Sequence, residues 1–223
     1  MSRQADTDAL YLLVDRLQRA QGGPLTVADT PSGGWPSHGV YFFFEPGEVR
    51  SDGSPRCVRV GTHALTATSK STLRRRLRQH RGILHSGGGN HRGSIFRGHV
   101  GAALIARGDV GGLPLDAWRA KVPDPALRDA ELAAEQAVSQ YIRQMPVVCV
   151  GVPTRSDRGL IESGAIALLS AYHGGVDVAS PGWLGRSSVA PWVVRSGLWN
   201  VRGVDDATYD AGFLAVLARH VPR

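Results

Sequence analysis

The sequence has little cysteine and no long apolar run. Its two cysteines, Cys57 and Cys149, have neither the CxxC nor the CxxH spacing of a structural zinc site. Both lie in apolar, strand-like segments, so we expect buried, reduced thiols. No apolar stretch approaches the roughly 18 residues that span a membrane, and residues 1–20 lack the form of a secretory signal. A cytoplasmic location without a membrane partner is therefore the default expectation.

Lysine is almost absent as well, because only Lys70 and Lys121 contribute to the 26 cationic residues. The 19 acidic residues leave a formal net charge of +7 and a pI near 10.1. A basic excess favours polyanionic partners, since each phosphate that is neutralised releases condensed counterions. Many soluble proteins are merely basic, and the arginine bias could follow from genome composition as well as from phosphate binding. Charge alone therefore leaves nucleic-acid binding and incidental basicity open.

The apolar periodicity indicates a single α+β unit. With 223 residues, 42% of them hydrophobic, the chain can bury a substantial core. We expect strands at 39–44, 57–61 and 147–152, and helices at 8–20, 71–81, 94–106, 124–144, 157–172 and 205–219. The predicted fold is a small three-stranded antiparallel or mixed sheet flanked by helices. It divides into an N-terminal helix and loop (1–38), a core with an inserted loop and helix (39–172), and a Trp-rich loop and helix packing on the core (173–223).

The predicted helix Ser71–Arg81 carries two kinds of cation. On a helical wheel, Leu73, Leu77 and His80 share one sector and Arg76 lies beside them. Arg74, Arg75 and Arg78 point elsewhere, as a solvated, phosphate-facing surface requires. A guanidinium directed at a core needs an anionic partner, because an unpaired buried charge costs several kcal/mol. That partner is either a ligand phosphate or a protein carboxylate; the second case is a structural Arg–Glu pair beside a satisfied histidine.

Four segments together resemble the GIY-YIG endonuclease family, in a divergent bacterial form. Gly39-Val40-Tyr41 resembles the first signature tripeptide, and Arg59-Val60-Gly61 stands at the second. Leu73–His80 resembles the following helix, and Arg158–Ile166 resembles the helix that bears a metal-binding glutamate after the third strand. The matches span residues 39–170. Two departures are visible: Arg59 replaces the usual tyrosine, and Asn200 lies too far along the chain to match the family's late asparagine.

The resemblance implies a metal-dependent DNA endonuclease that hydrolyses phosphodiester bonds. Tyr41 would orient or deprotonate the attacking water; a phenol needs nearby cations for this, and Arg59 and Arg76 are candidates. Arg76 would also bind the non-bridging phosphate oxygens. His80 would relay a proton or hold the phosphate. Glu162 would bind one Mg²⁺ or Mn²⁺ ion, the kind of hard cation that prefers oxygen ligands.

Other roles for these residues stay open. Arg59 could be a second phosphate clamp or could mark a lost proton relay. Tyr41 could simply pack in the core at the end of an aromatic strand. Glu135, one turn after Glu131 on the preceding helix, is the second candidate for the metal ligand, although both could instead pair with arginines. Chain order favours Glu162.

The remaining cations and the glycine-rich loop are candidates for contact with DNA. The candidate DNA-binding residues are Lys70, Arg74, Arg78, His91, Arg92 and Arg97. The loop Gly87–Gly93 could wrap a phosphate with backbone N–H groups or could be a flexible surface loop. It lacks the GK[ST] of a P-loop, which argues against nucleotide binding. Trp183, Trp192 and Trp199 lie among Pro and Gly, where tertiary packing is favoured over base stacking.

Three functions therefore compete. The first is a metal-dependent DNA endonuclease. The second is a catalytically weakened, GIY-YIG-like nucleic-acid-binding module that keeps the fold. The third is a structural or interaction protein whose basic surface is incidental.

Overall fold

A four-stranded antiparallel sheet lies at the centre of the structure, which is a computed structural model describing residues 2–31, 33–66 and 68–222. Its strands are β1 (Leu25–Thr26), β2 (Gly39–Val49), β3 (Pro55–Gly61) and β4 (Pro146–Gly151), in the order β1-β4-β2-β3. The α+β class is confirmed. The sheet has one strand more than predicted, because β1 is too short to produce an alternating pattern.

Alternation along β2 divides the apolar core into two layers. Tyr41 and Phe43 contribute to the core on one face of the sheet, whereas Val40 and Phe42 contribute to the core on the other. This is the period of two that a strand buried on both faces shows. The aromatic run that predicted a buried strand therefore supplies both sides of the sheet.

Eight α-helices are present in the described part of the chain. They are α1 (Arg3–Ala20), α2 (Leu73–Arg81), α3 (Ile95–Arg107), α4 (Leu115–Arg119), α5 (Arg128–Arg143), α6 (Arg155–Leu169), α7 (Pro191–Ser196) and α8 (Gly212–Ala218). The core shared with Tyr41 contains apolar residues of α2, α3, α4, α5 and α7, and the opposite core contains those of α1, α6 and α8. Among these helices, none combines the length and the apolar character needed to cross a membrane.

Four helices differ clearly from the prediction. α1 begins at Arg3, with Ser2 as its N-cap, rather than at residue 8, and α7 was not predicted because its six residues are too few for a helical period to show. α4 was not predicted, because its five residues are too few for a helical period to show. α8 begins at Gly212 rather than near residue 205. At its start, the carboxylate of Asp210 accepts a hydrogen bond from the Gly212 N–H at 2.8 Å. An Asx turn of this kind competes with helical hydrogen bonding, and it marks where α8 starts.

A later segment of the chain covers the outer edge of β3. The Trp199 N–H donates to the Val58 carbonyl at 2.8 Å. The Asn200 side chain then binds both backbone groups of Val60, accepting from its N–H at 3.1 Å and donating to its carbonyl at 2.8 Å. The edge is thus paired like an inner strand, and Asn200 lies at the end of β3.

A buried carboxylate anchors the same segment to the sheet. Glu45 on β2 accepts hydrogen bonds from the indole N–H groups of Trp183 and Trp199, each at 3.0 Å. Tyr141 of α5 donates to the other oxygen of Glu45. Trp183 and Trp199 therefore pack in the core, as predicted, and their polar edges are satisfied.

Candidate active-site cleft

A cleft of about 430 Å³ opens beyond the end of β3. Its walls come from the segment after β3, from α2, α6 and the first residue of α3, and from residues 200–203. The residues that line it are Arg59, Thr62, His63, Ala64, Leu65, Arg76, Ile95, Glu162, Ser163, Ile166, Asn200, Val201, Arg202 and Gly203. The fold therefore brings together three of the five predicted catalytic residues in one lining.

Arg59 is held in place from two sides. One guanidinium nitrogen, Nη1, donates to the Trp199 carbonyl at 2.6 Å. The guanidinium carbon lies 4.8 Å from the centre of the Phe96 ring, within cation–π range. Only 7% of the residue is exposed. The guanidinium that replaces a family tyrosine is thus a fixed charge on the cleft wall.

Arg76 is half-buried and reaches the same cleft from α2. Its Nη1 donates to Gln79 at 3.3 Å. Within the described residues, neither Arg76 nor Arg59 forms an ion pair with a carboxylate. Arg76 therefore does not form the structural Arg–Glu pair that was one of its two possible roles. Two guanidiniums without an ion-paired carboxylate have the donors and the charge that an anion requires.

Glu162 projects from α6 as the one carboxylate among the described residues that line this cleft. Its Oε1 accepts a hydrogen bond from the Thr62 N–H at 3.0 Å, which fixes the side chain against the end of β3. Burial raises the pKa of Glu162 above its ordinary value, while the Thr62 N–H, Arg59 and Arg76 act in the opposite direction. The hydrogen bond leaves Oε2 facing no protein donor within the part of the chain that the structure describes.

Tyr41 and His80 lie behind the cleft wall and are joined to each other. The Tyr41 hydroxyl is 2.9 Å from His80 Nε2, and His80 Nδ1 is 3.0 Å from Ser94 Oγ. Both residues are almost fully buried, with 1% and 0% exposed. A Cβ atom on Gly61 would lie 2.2 Å from the Tyr41 hydroxyl, so only glycine at this signature position leaves room for the phenol.

The burial of His80 decides between its two predicted roles. Both ring nitrogens are engaged inside the protein, so the prediction that His80 holds the phosphate directly is wrong. Burial lowers the pKa of His80 well below its ordinary value, and the charges of Arg59, Arg76 and Arg97 add to this. A neutral imidazole bonded to Tyr41 is compatible with the other role, in which it orients the phenol or exchanges a proton with it.

Arg97 and His91 are buried rather than turned toward DNA. Arg97 has no exposed surface; its Nε donates to the Glu135 carboxylate at 3.1 Å, and its Nη1 donates to the His80 carbonyl at 2.9 Å. His91 bonds Glu135 at 2.9 Å and the Trp118 carbonyl at 2.7 Å. Their prediction as DNA-binding residues is wrong, because a buried and bonded side chain presents no donor to a phosphate.

The same contacts remove Glu135 as a metal ligand. Its carboxylate is committed to Arg97 and His91, and Glu131 forms an ion pair with Arg92. The alternative that both glutamates pair with arginines is therefore confirmed. Arg92 is only partly exposed, and Glu131 balances its charge. Arg92 is therefore a weaker candidate for contact with DNA.

The glycine-rich loop packs over Arg97 instead of wrapping an anion. The Gly88 carbonyl accepts from the Ile83 N–H at 2.8 Å and from the Ser139 hydroxyl at 3.1 Å. A Cβ atom on Gly89 would lie 2.2 Å from the Arg97 guanidinium. The glycines thus allow the loop to approach a buried charge closely. Lys70, Arg74 and Arg78 are exposed, and their contact with DNA stays a prediction.

Several cleft residues were not predicted from the sequence. Thr62 and His63 directly follow the second signature tripeptide, and this position was the signal that could have revealed them. His63 Nε2 lies 3.1 Å from His38 Nδ1, and burial, together with the charge of Arg158 and the neighbouring His38, lowers the pKa of His63 to about 4. Asn200 reaches the cleft through its bonds to Val60, which no spacing rule could anticipate.

The comparison with protein families matches the chain to the model described as GIY-YIG domain, over residues 1–223. No curated protein and no solved structure matches the chain significantly. The family match covers the whole sequence, including the signature tripeptides on β2 and β3 and the glutamate on α6. The chain belongs to the GIY-YIG endonuclease family.

Proposed function

We propose that the protein is a metal-dependent DNA endonuclease that hydrolyses phosphodiester bonds in the cleft beyond β3. The observation that carries the proposal is the convergence of Glu162, Arg59 and Arg76 on one cleft, with the Tyr41–His80 pair directly behind it. Family membership supports a nuclease-type activity in general. The metal and the DNA substrate are inferred from the chemistry of the lining residues.

One carboxylate fits a lightly coordinated divalent ion. Within the described residues, no group of three or more His, Cys, Asp or Glu side chains could form an all-protein metal cage. Mg²⁺ does not require such a cage, because it keeps several waters and is bound by one or two carboxylates plus substrate phosphate. Glu162 would hold the ion through the oxygen that does not bond Thr62. The ion would neutralise charge on the phosphate and on the leaving oxygen.

The two arginines would hold the phosphate. Arg59 and Arg76 lack a carboxylate partner among the described residues, so the non-bridging oxygens of a phosphodiester would supply the missing negative charge. Because Arg59 is fixed by Trp199 and Phe96, it would contribute charge without reorganising when the transition state forms. This supports the interpretation of Arg59 as a second phosphate clamp.

Tyr41 would orient the attacking water from below the cleft. In one tautomer, His80 Nε2 accepts a hydrogen bond from the phenol; in the other, His80 donates a hydrogen bond to the phenol oxygen and would stabilise negative charge on it. Burial, together with the charges of Arg59, Arg76 and Arg97, disfavours an imidazolium at His80, so the imidazole would stay neutral in either tautomer. Proton exchange between water and Tyr41 would then occur with His80 as the positioning residue.

Nicking of supercoiled plasmid in Mg²⁺ or Mn²⁺ tests this proposal. Glu162→Gln and Arg76→Ala should each lower the nicking rate by at least about 100-fold, since each removes charge stabilisation from the transition state. Asp129→Asn and Arg16→Ala are matched controls, because both residues are exposed on helices outside the cleft. Full activity of Glu162→Gln with a retained fold would contradict the assignment of the metal ligand.

The burial of Tyr41 favours a second candidate, a catalytically weakened nucleic-acid-binding module. Only 1% of Tyr41 is exposed, and its hydroxyl is already bonded to His80. A protein of this kind would bind DNA with a steep dependence on salt but would leave plasmid intact in both metals. Metal-dependent nicking that Glu162→Gln abolishes would exclude it.

A further inference from the structure

A second cleft, of about 500 Å³, lies between α3, α4 and α7. We call it the tryptophan cleft. Its apolar walls are Ile95 and Ala102 on α3, Trp118 on α4, and Val189 and Trp192 at α7. Ile95, Val189 and Trp192 are 50%, 40% and 43% exposed, so much of this wall faces solvent. The volume is within the range of small-ligand pockets.

Trp192 differs from the other tryptophans that pack in the core. Trp118, Trp183 and Trp199 are buried, and each indole N–H donates to a protein oxygen. Trp192 instead exposes a large apolar surface, and no hydrogen bond of its indole is present in the described chain. Its tertiary packing was predicted, and the exposure corrects that prediction. A solvent-facing indole beside a cleft is a platform on which a flat aromatic ring can stack.

The residues that line the tryptophan cleft include cations and no carboxylate among those described. Arg119 and Lys121 lie on its rim together with Arg92, whose charge is balanced by Glu131. Two other surface clefts are different: one contains Asp8, Asp15 and Asp52, and another contains Asp124, Glu131 and Glu135. An aromatic wall inside a positive rim complements a base attached to phosphates.

The tryptophan cleft adjoins the candidate active-site cleft. Ile95 lines both of them. His99, which also lines the tryptophan cleft, is near enough to Arg59 and Arg119 that their charges, after burial, help to lower its pKa to about 4. His99 is therefore neutral near pH 7 and can both donate and accept a hydrogen bond. One strand could thus place a phosphate at Arg59 and its neighbouring base beyond Ile95.

We propose that the tryptophan cleft binds one unpaired base of the DNA strand, stacked on Trp192 next to the scissile phosphate. This inference rests on the proposed function, which it extends to the form of the substrate. A base within a duplex is stacked on both faces and cannot enter a concave site, so the base must be extrahelical, mismatched or single-stranded. The preferred substrate is therefore DNA that is distorted or partly unpaired at the cleavage site.

Binding to two DNA duplexes of the same sequence tests the proposal, one fully paired and one with a single bulged 2-aminopurine nucleotide. The full-length protein is titrated in EDTA, so that binding is measured without cleavage. We expect tighter binding of the bulged duplex and quenching of 2-aminopurine fluorescence on stacking. Trp192→Ala should weaken binding of the bulged duplex about tenfold and abolish the quenching. Trp192→Phe should retain most of both.

Val178→Ala is the matched control, because Val178 is 59% exposed and lines neither cleft. It should leave both affinities unchanged. Equal binding of the two duplexes by the wild type, or equal weakening of both by Trp192→Ala, would overturn the inference. Neither result affects plasmid nicking that depends on Glu162, so failure of this inference and failure of the proposed function are distinguishable.

Discussion

Glu162 and Glu135 both project from helices toward the protein interior, and their hydrogen-bond partners separate their roles. Glu135 forms an ion pair with Arg97 and a hydrogen bond with His91, so it is part of the core. Glu162 has a backbone N–H as its partner and faces a cleft with two arginines. The contrast explains why spacing along the chain could not choose between them, since the partners of Glu135 lie on other elements.

Replacing Glu135 should destabilise the fold. Glu135→Ala leaves the fully buried Arg97 without a counter charge, and we expect a loss of about 3–5 kcal/mol in the free energy of unfolding. Glu131→Ala is the matched control, because the Glu131–Arg92 pair is closer to the surface and should cost about 1 kcal/mol or less. Urea denaturation of both variants measures the difference. Equal losses would contradict a structural role specific to Glu135.

Metal binding should weaken at unusually high pH for a glutamate site. Because burial raises the pKa of Glu162 above its ordinary value of 4.5, the carboxyl takes up its proton sooner as the pH falls. The protonated form cannot bind a divalent ion, so Mn²⁺ affinity should be full above the raised pKa and lost below it. Electron paramagnetic resonance of free Mn²⁺, followed from mildly acidic to neutral pH, measures this. A pH-independent affinity, or one that Glu162→Gln retains, would oppose the assignment.

At the scale of elements, α2 has two functional sides. Leu73, Leu77 and His80 face the core, and Arg74 and Arg78 are exposed. The helical wheel predicted this division correctly, because a nine-residue helix with so many charges can bury only one stripe. It also placed Arg76 at the boundary, where the structure has it half-buried at the cleft.

The exposed side of α2 should account for part of the salt dependence of DNA binding. When a variant neutralises one phosphate fewer on duplex DNA, the slope of log affinity against log salt should become shallower by about 0.9. Arg74→Ala and Arg78→Ala should each produce this change, measured by fluorescence anisotropy over a salt series. Arg16→Ala on α1 should leave the slope unchanged. Unaltered slopes for both α2 variants would place the DNA elsewhere.

Long elements were predictable from the sequence and long-range pairings were not. β2, β3 and β4 contain apolar runs and α2, α5 and α6 have a helical apolar period, whereas β1, α4 and α7 are too short to show a pattern. Arg97 was predicted to contact DNA because a sequence shows its charge but not its partner, and Glu135 lies 38 residues away. Phe96, Val100 and Ala103 on the same helix were the local signal that this region of α3 is buried.

At the scale of the whole molecule, the sheet and the segment after α6 form a joint core. Arg56 on β3 is fully buried, pairing with Glu48 and donating to the Gly197 carbonyl at 2.7 Å. Glu45 receives the indole N–H groups of Trp183 and Trp199. The predicted boundary between 39–172 and 173–223 therefore crosses buried polar contacts as well as apolar ones.

A truncated chain of residues 39–172 should not fold independently. Removing the later segment deprives Glu45 and Arg56 of hydrogen-bond partners, and each unsatisfied buried polar group costs about 1–3 kcal/mol, more when it is charged. We expect no cooperative unfolding transition in urea, followed by circular dichroism, whereas the full-length chain shows one. A cooperative transition of the truncated chain would establish 39–172 as a separate domain and contradict the expectation.

The hydrogen bonds that pair the outer edge of β3 come from Trp199 and Asn200, which are translated late. Translation produces β2, β3, α2 and α6 well before residue 199 is added. Until then Arg59 lacks the carbonyl that fixes it, and Val60 lacks the amide that completes the sheet edge. An unfinished polypeptide therefore already contains Arg59, Arg76 and Glu162, but Arg59 still lacks its contact with Trp199. We expect the site to be complete only after Trp199 and residues 200–203, the last that line the cleft, have left the ribosome.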